Sequence, residues 1–344
     1  MHAIVLSDIG KIEYAKVPDP VLRAGYCIVK PRAFGICGSD IPRAYTTGAH
    51  VHPLVLGHEF SGVVSEVNAG SEFKPGDKVG VFPLIPCGKC KMCASRKYEM
   101  CENYSYLGSR CDGGFAEYVA VPEWNLIKLG DNVSFEEAAM LEPMAVAAHA
   151  VRRAVTGRPK DSKVLVIGLG TIGLFTVMIL KSMGFDNVYT VGNKEFQRIS
   201  VAKLGVPGDR YIDSGKTPEK LDKISADIVF ECVGKELTYA QAITAATPSG
   251  TVMLVGNPAS DMGLLRATYW KILRNQLTIL GTWNSSYTKE PDDDWHFVIN
   301  LLNNGIIKPE QFITHKFELK DLITGFEIMR DKKEDYIKIM GINP

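Results

Sequence analysis

Residues 163–173 read KVLVIGLGTIG, and this stretch decides the fold of the second half of the chain. KVLVIG has the apolar make-up of a buried strand, and GLGTIG opens a helix that continues through Leu180. Gly168, Gly170 and Gly173 permit a tight turn and a close backbone approach, with Thr171 and Ile172 between them. The helix N-terminus offers unpaired amides and a partial positive charge to a pyrophosphate. By itself the glycine spacing is weak evidence. Further strand-like runs follow it, however: VYTVG (188–192), ADIVFECVG (226–234), GTVMLVG (250–256) and LTILGTW (277–283), with helical stretches between them. That alternation predicts a doubly wound parallel sheet of α/β class that binds a dinucleotide. Val164–Leu180 is uncharged and near the shortest length for a membrane span, but its clustered glycines fit a strand, turn and helix better.

The second strand of such a sheet usually ends in Asp or Glu, which binds the ribose hydroxyls of NAD. Here the position is Gly192, followed by Asn193 and Lys194, with Arg198 one helical turn on. Loss of the carboxylate and gain of two cations favour NADP(H) over NAD(H); the plain alternative is two ordinary surface cations. Val233, Gly256 and Thr282 are further expected cofactor contacts.

Upstream the texture changes to short apolar–polar runs broken by Gly and Pro: AIVLS, KIEYAKV and YCIVKP, then FSGVVSEV, KPGDKVGVFP, GGFAEYVAVP and NLIKL. They predict a compact β-barrel-like domain with long functional loops. Inserted in it is PCGKCKMCASRKYEMC (86–101), with Cys87, Cys90, Cys93 and Cys101 on one short lobe. Four thiolates can close a tetrahedral zinc shell with no open position, a structural site. Clustered exposed thiols without a metal or disulfide would oxidise. The tail, 311–342, is expected to return to this first domain.

A second metal pattern lies in GICGSDIPRAYTTGAHVHPLVLGHEFSG (35–62). It offers a thiol (Cys37), an imidazole (His58) and a carboxylate (Glu59), three zinc ligand types that leave a fourth position for water or substrate. Downstream, SFEEAAMLEPMAVAAHAVRRA (134–154) begins with a capping box, Ser134 and Glu137, and is read as two helices broken at Pro143. Glu142 at that break is a candidate zinc ligand or neighbour, or else an ordinary helix-end charge.

The 344 residues are 46% hydrophobic and 23% charged, with a formal net charge of zero, which fits two globular domains and provides no basic excess for nucleic acid. Eight cysteines without a secretion signal predict a cytoplasmic protein whose thiolates bind metal. No membrane partner is expected.

CGSD (37–40), GHE (57–59), the four-cysteine lobe, LEP (141–143) and GLGTIG (168–173) together resemble the zinc-dependent medium-chain alcohol dehydrogenase family over nearly the whole chain. Within it, CGSDIPR, GAHVHPLVLGHEFSG, PLIPC, LGSRCDGGFAEY and ATYWKILRNQLTILGTW most resemble polyol dehydrogenases of the galactitol-1-phosphate 5-dehydrogenase subgroup. The resemblance implies a GroES-like catalytic domain (1–150 and 288–344, zinc lobe 86–102) and a Rossmann domain (151–287). It implies catalytic zinc on Cys37, His58 and Glu59, with Glu142 as fourth ligand or partner of bound water, and Ser39 contacting the reacting oxygen. The expected activity is hydride transfer between NADP(H) and a secondary hydroxyl of a polyol or polyol phosphate. Alternatives are a free-polyol or diol dehydrogenase of sorbitol or butanediol type, or a non-catalytic NADP-binding member. Arg43, Arg110, Lys271 and Arg274 are candidate contacts for a substrate phosphate. The strand around Leu277–Gly281 would lie at the sheet edge and pair with another subunit, giving a homodimer or homotetramer. Gly192 departs from the subgroup, in which an Asp and NAD would be expected.

Overall fold

The computed structural model describes residues 1–343, apart from the side chain of Asp222. Its chain divides into two compact units, Met1–Glu142 with Ser286–Pro344, and Pro143–Ser285.

In the first unit one sheet runs in the order Leu126–Lys128, Lys78–Val81, Glu59–Val67, Tyr26–Gly35, Lys338–Ile342 and Ile313–Glu318, and Val119–Pro122 also pairs with Tyr26–Gly35. All these pairings are antiparallel except that of Ile313–Glu318 with Lys338–Ile342. The C-terminal strand thereby lies beside the strand that leads into Cys37, with Met340 opposite Gly35. A smaller sheet joins Lys11–Lys16, His2–Asp8 and Leu54–Val55. Phe34, Phe60, Phe115 and Phe326 are buried in one core between these layers. Each such ring contributes about 1.5–3 kcal/mol relative to exposure. This core fixes the two ends of the 35–62 stretch that carries the metal pattern.

The second unit is built on six parallel strands in the order Tyr211–Asp213, Val188–Gly192, Val164–Ile167, Ala226–Glu231, Ala246–Leu254 and Thr278–Gly281. That is the doubly wound order of dinucleotide-binding sheets. Leu165, Ile167, Val191, Val229 and Val252 bury their side chains in it, which explains why its strands read as nearly continuous apolar runs. Tyr211–Asp213 has too few residues to show a period, so no sequence pattern marks it as a strand. Thr278–Gly281 pairs with a neighbour on one side among the described residues, so it is an open edge.

One expectation needs correction. The helical break falls at Met140, between Phe135–Ala139 and Leu141–Ala154, and not at Pro143. Pro143 lies in the first turn of the second helix, where the missing N–H has no intrahelical partner to lose. Ser134 and Glu137 do form the capping box. Among the described residues no helix is long and apolar enough to cross a membrane.

Candidate active site

Cys37 follows the strand Tyr26–Gly35, and Glu59 opens the strand Glu59–Val67 paired to it, with Gly35 opposite Glu59. This register brings the thiol, His58 and Glu59 together: one ligand atom from each lies within 4.8 Å of the others. His58 and Glu59 are buried, at 4% and 1% exposure. Ser39 Oγ donates to Cys37 Sγ at 3.3 Å from an exposed position.

Two groups not singled out in the sequence, Asp40 and Lys338, hold this cluster. Asp40 is fully buried, accepts from the Cys37 amide at 3.0 Å, and receives the Arg43 guanidinium. Its Oδ1 lies 3.3 Å from His58 Nδ1, although that nitrogen makes no aligned hydrogen bond. Burial pushes the His58 pKa down, but Asp40 and Cys37 outweigh it and hold it well above the ordinary range. Lys338, from the C-terminal strand, forms a buried ion pair with Glu59 and donates to the Ile36 carbonyl at 3.1 Å. Removing one partner of such a pair generally costs about 3–5 kcal/mol, because the other charge stays buried.

Glu142 lies outside the three-ligand group yet is buried beside it, and its Oε1 accepts from the Tyr106 hydroxyl at 3.1 Å. Burial pushes its pKa up to about 7, with His58 opposing and Glu59 adding to the shift. Tyr106, half-buried, packs edge-on to the His58 ring at 5.7 Å. A soft thiolate, an imidazole with an orphaned ring nitrogen, and two carboxyls concentrated out of solvent are a donor set that suits a divalent zinc ion. A carboxylate behind a ligating imidazole, as Asp40 stands behind His58, fixes ring orientation.

The four-cysteine lobe fits a metal more directly. Sulfur separations are 3.5 Å for Cys90–Cys93, 3.9 Å for Cys90–Cys101 and 4.0 Å for Cys87–Cys93. Those are far too long for disulfides, and close to the edge of about 3.8 Å that a tetrahedron with metal–sulfur bonds of about 2.3 Å requires. Cys90 caps the short helix Lys91–Ala94, and the Cys93 amide it receives helps lower its pKa to about 6. Burial pushes Cys93 up to about 12, which a metal would reverse.

In the second unit, a Cβ on Gly173 would lie 1.8 Å from the Gly168 oxygen, so the turn cannot close with any other residue there. Gly170 caps the helix Thr171–Ser182 and has open space in front of it, as a pyrophosphate would need. Thr282 has a buried hydroxyl without a partner among the described residues, and its amide donates to the Leu254 carbonyl. A Cβ on Gly256 would meet the Gly234 amide at 2.0 Å, with Val233 adjoining. At Gly192 the structure adds something the sequence hid. A Cβ there would meet Gln197 Oε1 at 2.7 Å and the Tyr211 hydroxyl at 2.8 Å, so a neutral amide fills the place of the usual acid. Gln197 Oε1 accepts from the Asn193 amide at 3.0 Å. Arg198 is forked onto Glu195, both Oε atoms 3.0 Å from Nε, while Lys194 caps that helix with its ammonium 5.5 Å from the Phe196 ring centroid.

Of the candidate phosphate contacts, Arg43 is engaged by Asp40. Lys271 and Arg274 lie on the helix Arg266–Arg274 of the second unit, with Arg274 stacked on Trp270 at 4.8 Å.

Residues 23–131 match the alcohol dehydrogenase GroES-like domain, and residues 136–339 the glucose dehydrogenase C-terminus. The chain belongs to the zinc-type medium-chain alcohol dehydrogenase family, as a nicotinamide-dependent alcohol or polyol dehydrogenase acting on CH–OH groups. In particular it is similar to galactitol 1-phosphate 5-dehydrogenase of Escherichia coli (strain K12), 34% identical over 294 residues and covering 84% of each chain. The crystal structure of galactitol-1-phosphate dehydrogenase from Escherichia coli superposes with a TM-score of 0.92 at 30% identity, covering 100% of both chains. A zinc-binding dehydrogenase from Sinorhizobium meliloti 1021 bound to NADP matches at 26% identity and TM-score 0.90, covering 99% of each. The E. coli CFT073 alcohol dehydrogenase rspB complexed with NADH matches at 27% and 0.89, covering 100% of this chain and 99% of that one.

Proposed function

We propose that this protein moves a hydride between NADP(H) and a secondary hydroxyl or ketone of a polyol phosphate, of the kind galactitol 1-phosphate represents. The observation that carries the reading is the convergence of half-buried Cys37 with buried His58 and Glu59, with Glu142 and Tyr106 against it. Cys37, His58 and Glu59 would hold zinc, which supplies Lewis acidity toward a hydroxyl or carbonyl oxygen while the nicotinamide exchanges the hydride. The chain itself does the rest. Asp40, neutralised by Arg43, keeps the His58 ring in one orientation. Lys338 balances Glu59 so that the carboxylates and the thiolate are not left as an uncompensated cluster. Burial raises the Tyr106 pKa well above the ordinary range, so its phenol stays protonated and donates to Glu142. Ser39, exposed beside Cys37, relays the proton of the substrate hydroxyl toward solvent.

NADP(H) is preferred on this reading because no carboxylate occupies position 192, and Lys194 stands at the next helix's start. Arg198 already serves Glu195, so one charge-assisted bond carries the preference: about 1.5–3 kcal/mol, or roughly tenfold to a hundredfold before screening. Kinetics with galactitol 1-phosphate, galactitol and sorbitol, each with NADP and NAD, test both parts. The expected result is a higher kcat/KM with the phosphorylated polyol and with NADP, the latter preference shrinking in Lys194→Ala. Equal rates with free polyols remove the phosphate, and equal or better use of NAD removes the NADP assignment. Thiolates that stay reduced suit the cytoplasm. The open edge at Thr278–Gly281 suits pairing with a second copy, as a homodimer or within a homotetramer; a one-chain mass in solution contradicts that.

A further inference from the structure

Arg110 stands apart from the other cations near the site. Its guanidinium stacks on Tyr104 at 4.4 Å from the ring centroid. Tyr104 meets Tyr106 edge-on at 6.2 Å, and Tyr106 meets His58 at 5.7 Å while holding Glu142. Ring contacts therefore lead from the metal-binding cluster to this one guanidinium. Among the described residues it forms no side-chain hydrogen bond and no ion pair. Guanidinium donors lie in the plane of the group, so stacking on a ring leaves all of them unspent. A half-buried fork of that kind calls for an anion.

Its position is also fixed. The Arg110 amide donates to the Tyr106 carbonyl at 2.8 Å, and Gly108 donates to the Cys111 carbonyl at 2.7 Å, closing a tight turn. That turn packs backbone to backbone on the residue before His58: a Cβ on Gly108, at φ +71°, would lie 2.4 Å from the Gly57 carbonyl carbon. Arg110 is thus set at a constant distance from the cluster, not carried on a free loop. His50 is exposed nearby, where the charges of Arg110 and Arg43 both act on it. Arg43 is already paired with Asp40, so the uncommitted charge on this rim is that of Arg110.

We propose that Arg110, with His50 exposed beside it, is the subsite that binds the substrate's phosphate monoester. The inference rests on the polyol-phosphate reading above and deepens it. In a hexitol 1-phosphate oxidised at carbon 5, the phosphorus is several bonds from the reacting carbon. The anion therefore belongs away from the metal and at the far end of the substrate, which is where the tyrosine pair places this fork. Two parallel N–H donors match two phosphate oxygens, and charge-assisted bonds of this type are worth about ten- to a hundredfold in affinity.

The test is the ratio of kcat/KM for galactitol 1-phosphate over galactitol, in the unmodified protein, Arg110→Gln and Arg110→Lys, with inhibition by inorganic phosphate measured alongside. The ratio is expected to fall at least about tenfold in Arg110→Gln, mainly through KM, with phosphate inhibition lost. Arg110→Lys should recover part of both. A role confined to propping Tyr104 would lower both substrates together and leave the ratio where it was. If the unmodified protein prefers the phosphorylated polyol and Arg110→Gln retains that preference, the subsite is overturned and the polyol-phosphate reading stands. If the unmodified protein shows no preference, and inorganic phosphate does not inhibit it, both fall.

Discussion

His58→Ala is expected to lose at least about 1,000-fold in turnover, about 4 kcal/mol of barrier, while NADP(H) binding stays within a few fold. His58 is the single imidazole of its cluster and is 4% exposed, so its loss leaves the site one nitrogen donor short. Its loss also leaves buried Asp40, among the described residues, with Arg43 as its one remaining charged partner. Glu59 and Glu142 are more adaptable. The first already divides its charge with Lys338, and the second is tethered through Tyr106. On the proposed reading the cofactor is held by the second unit, where Gly168, Gly170 and Gly173 form the turn, and its binding should not feel the substitution. Steady-state rates and cofactor titration of the purified variant check this. Turnover within tenfold of the unmodified protein would remove the cluster from the chemistry.

Cys90→Ser should act on stability instead. Its sulfur lies 3.5 Å from Cys93 and 3.9 Å from Cys101, it caps the helix Lys91–Ala94, and its lowered pKa makes it a ready thiolate. A serine hydroxyl can keep the cap but cannot be the fourth thiolate. Structural zinc of this type supplies on the order of 10 kcal/mol of binding free energy, so its loss should lower Tm by on the order of 10 °C and promote aggregation. Metal content should fall by one ion per chain while the surviving soluble fraction keeps turning over. Full metal content with an unchanged Tm would show that the lobe is not a closed metal site.

What the sequence made legible was local. GLGTIG after an apolar strand announced the dinucleotide turn, and four cysteines on one short lobe announced a metal, because spacing along the chain nearly equals spacing in the fold. Cys37, His58 and Glu59 could be grouped for a related reason: two of them are adjacent, and the third follows closely on the strand that pairs with the one Glu59 opens. Lys338 could not. It reaches Glu59 only because the C-terminal strand pairs with Tyr26–Gly35 in a register that no local pattern specifies. Arg110 was visible as a cation, but its lack of an anionic partner among the described residues depends on a turn locked onto Gly57. At Gly192 the missing acid was legible, whereas Gln197 and Tyr211 filling its place were not, since they arrive from a helix and from a strand of only a few residues. Pro143 misled because a rule for helix interiors was applied to a first turn.

The most direct measurement is metal content followed together with hydride transfer while zinc is withdrawn by a chelator. The protein as purified should hold two zinc ions per chain, one for each cluster. Turnover should fall in proportion to the first ion removed, from the cluster with an open position, and return when zinc is restored. Undiminished hydride transfer after both ions have gone would contradict a reaction centred on Cys37, His58 and Glu59.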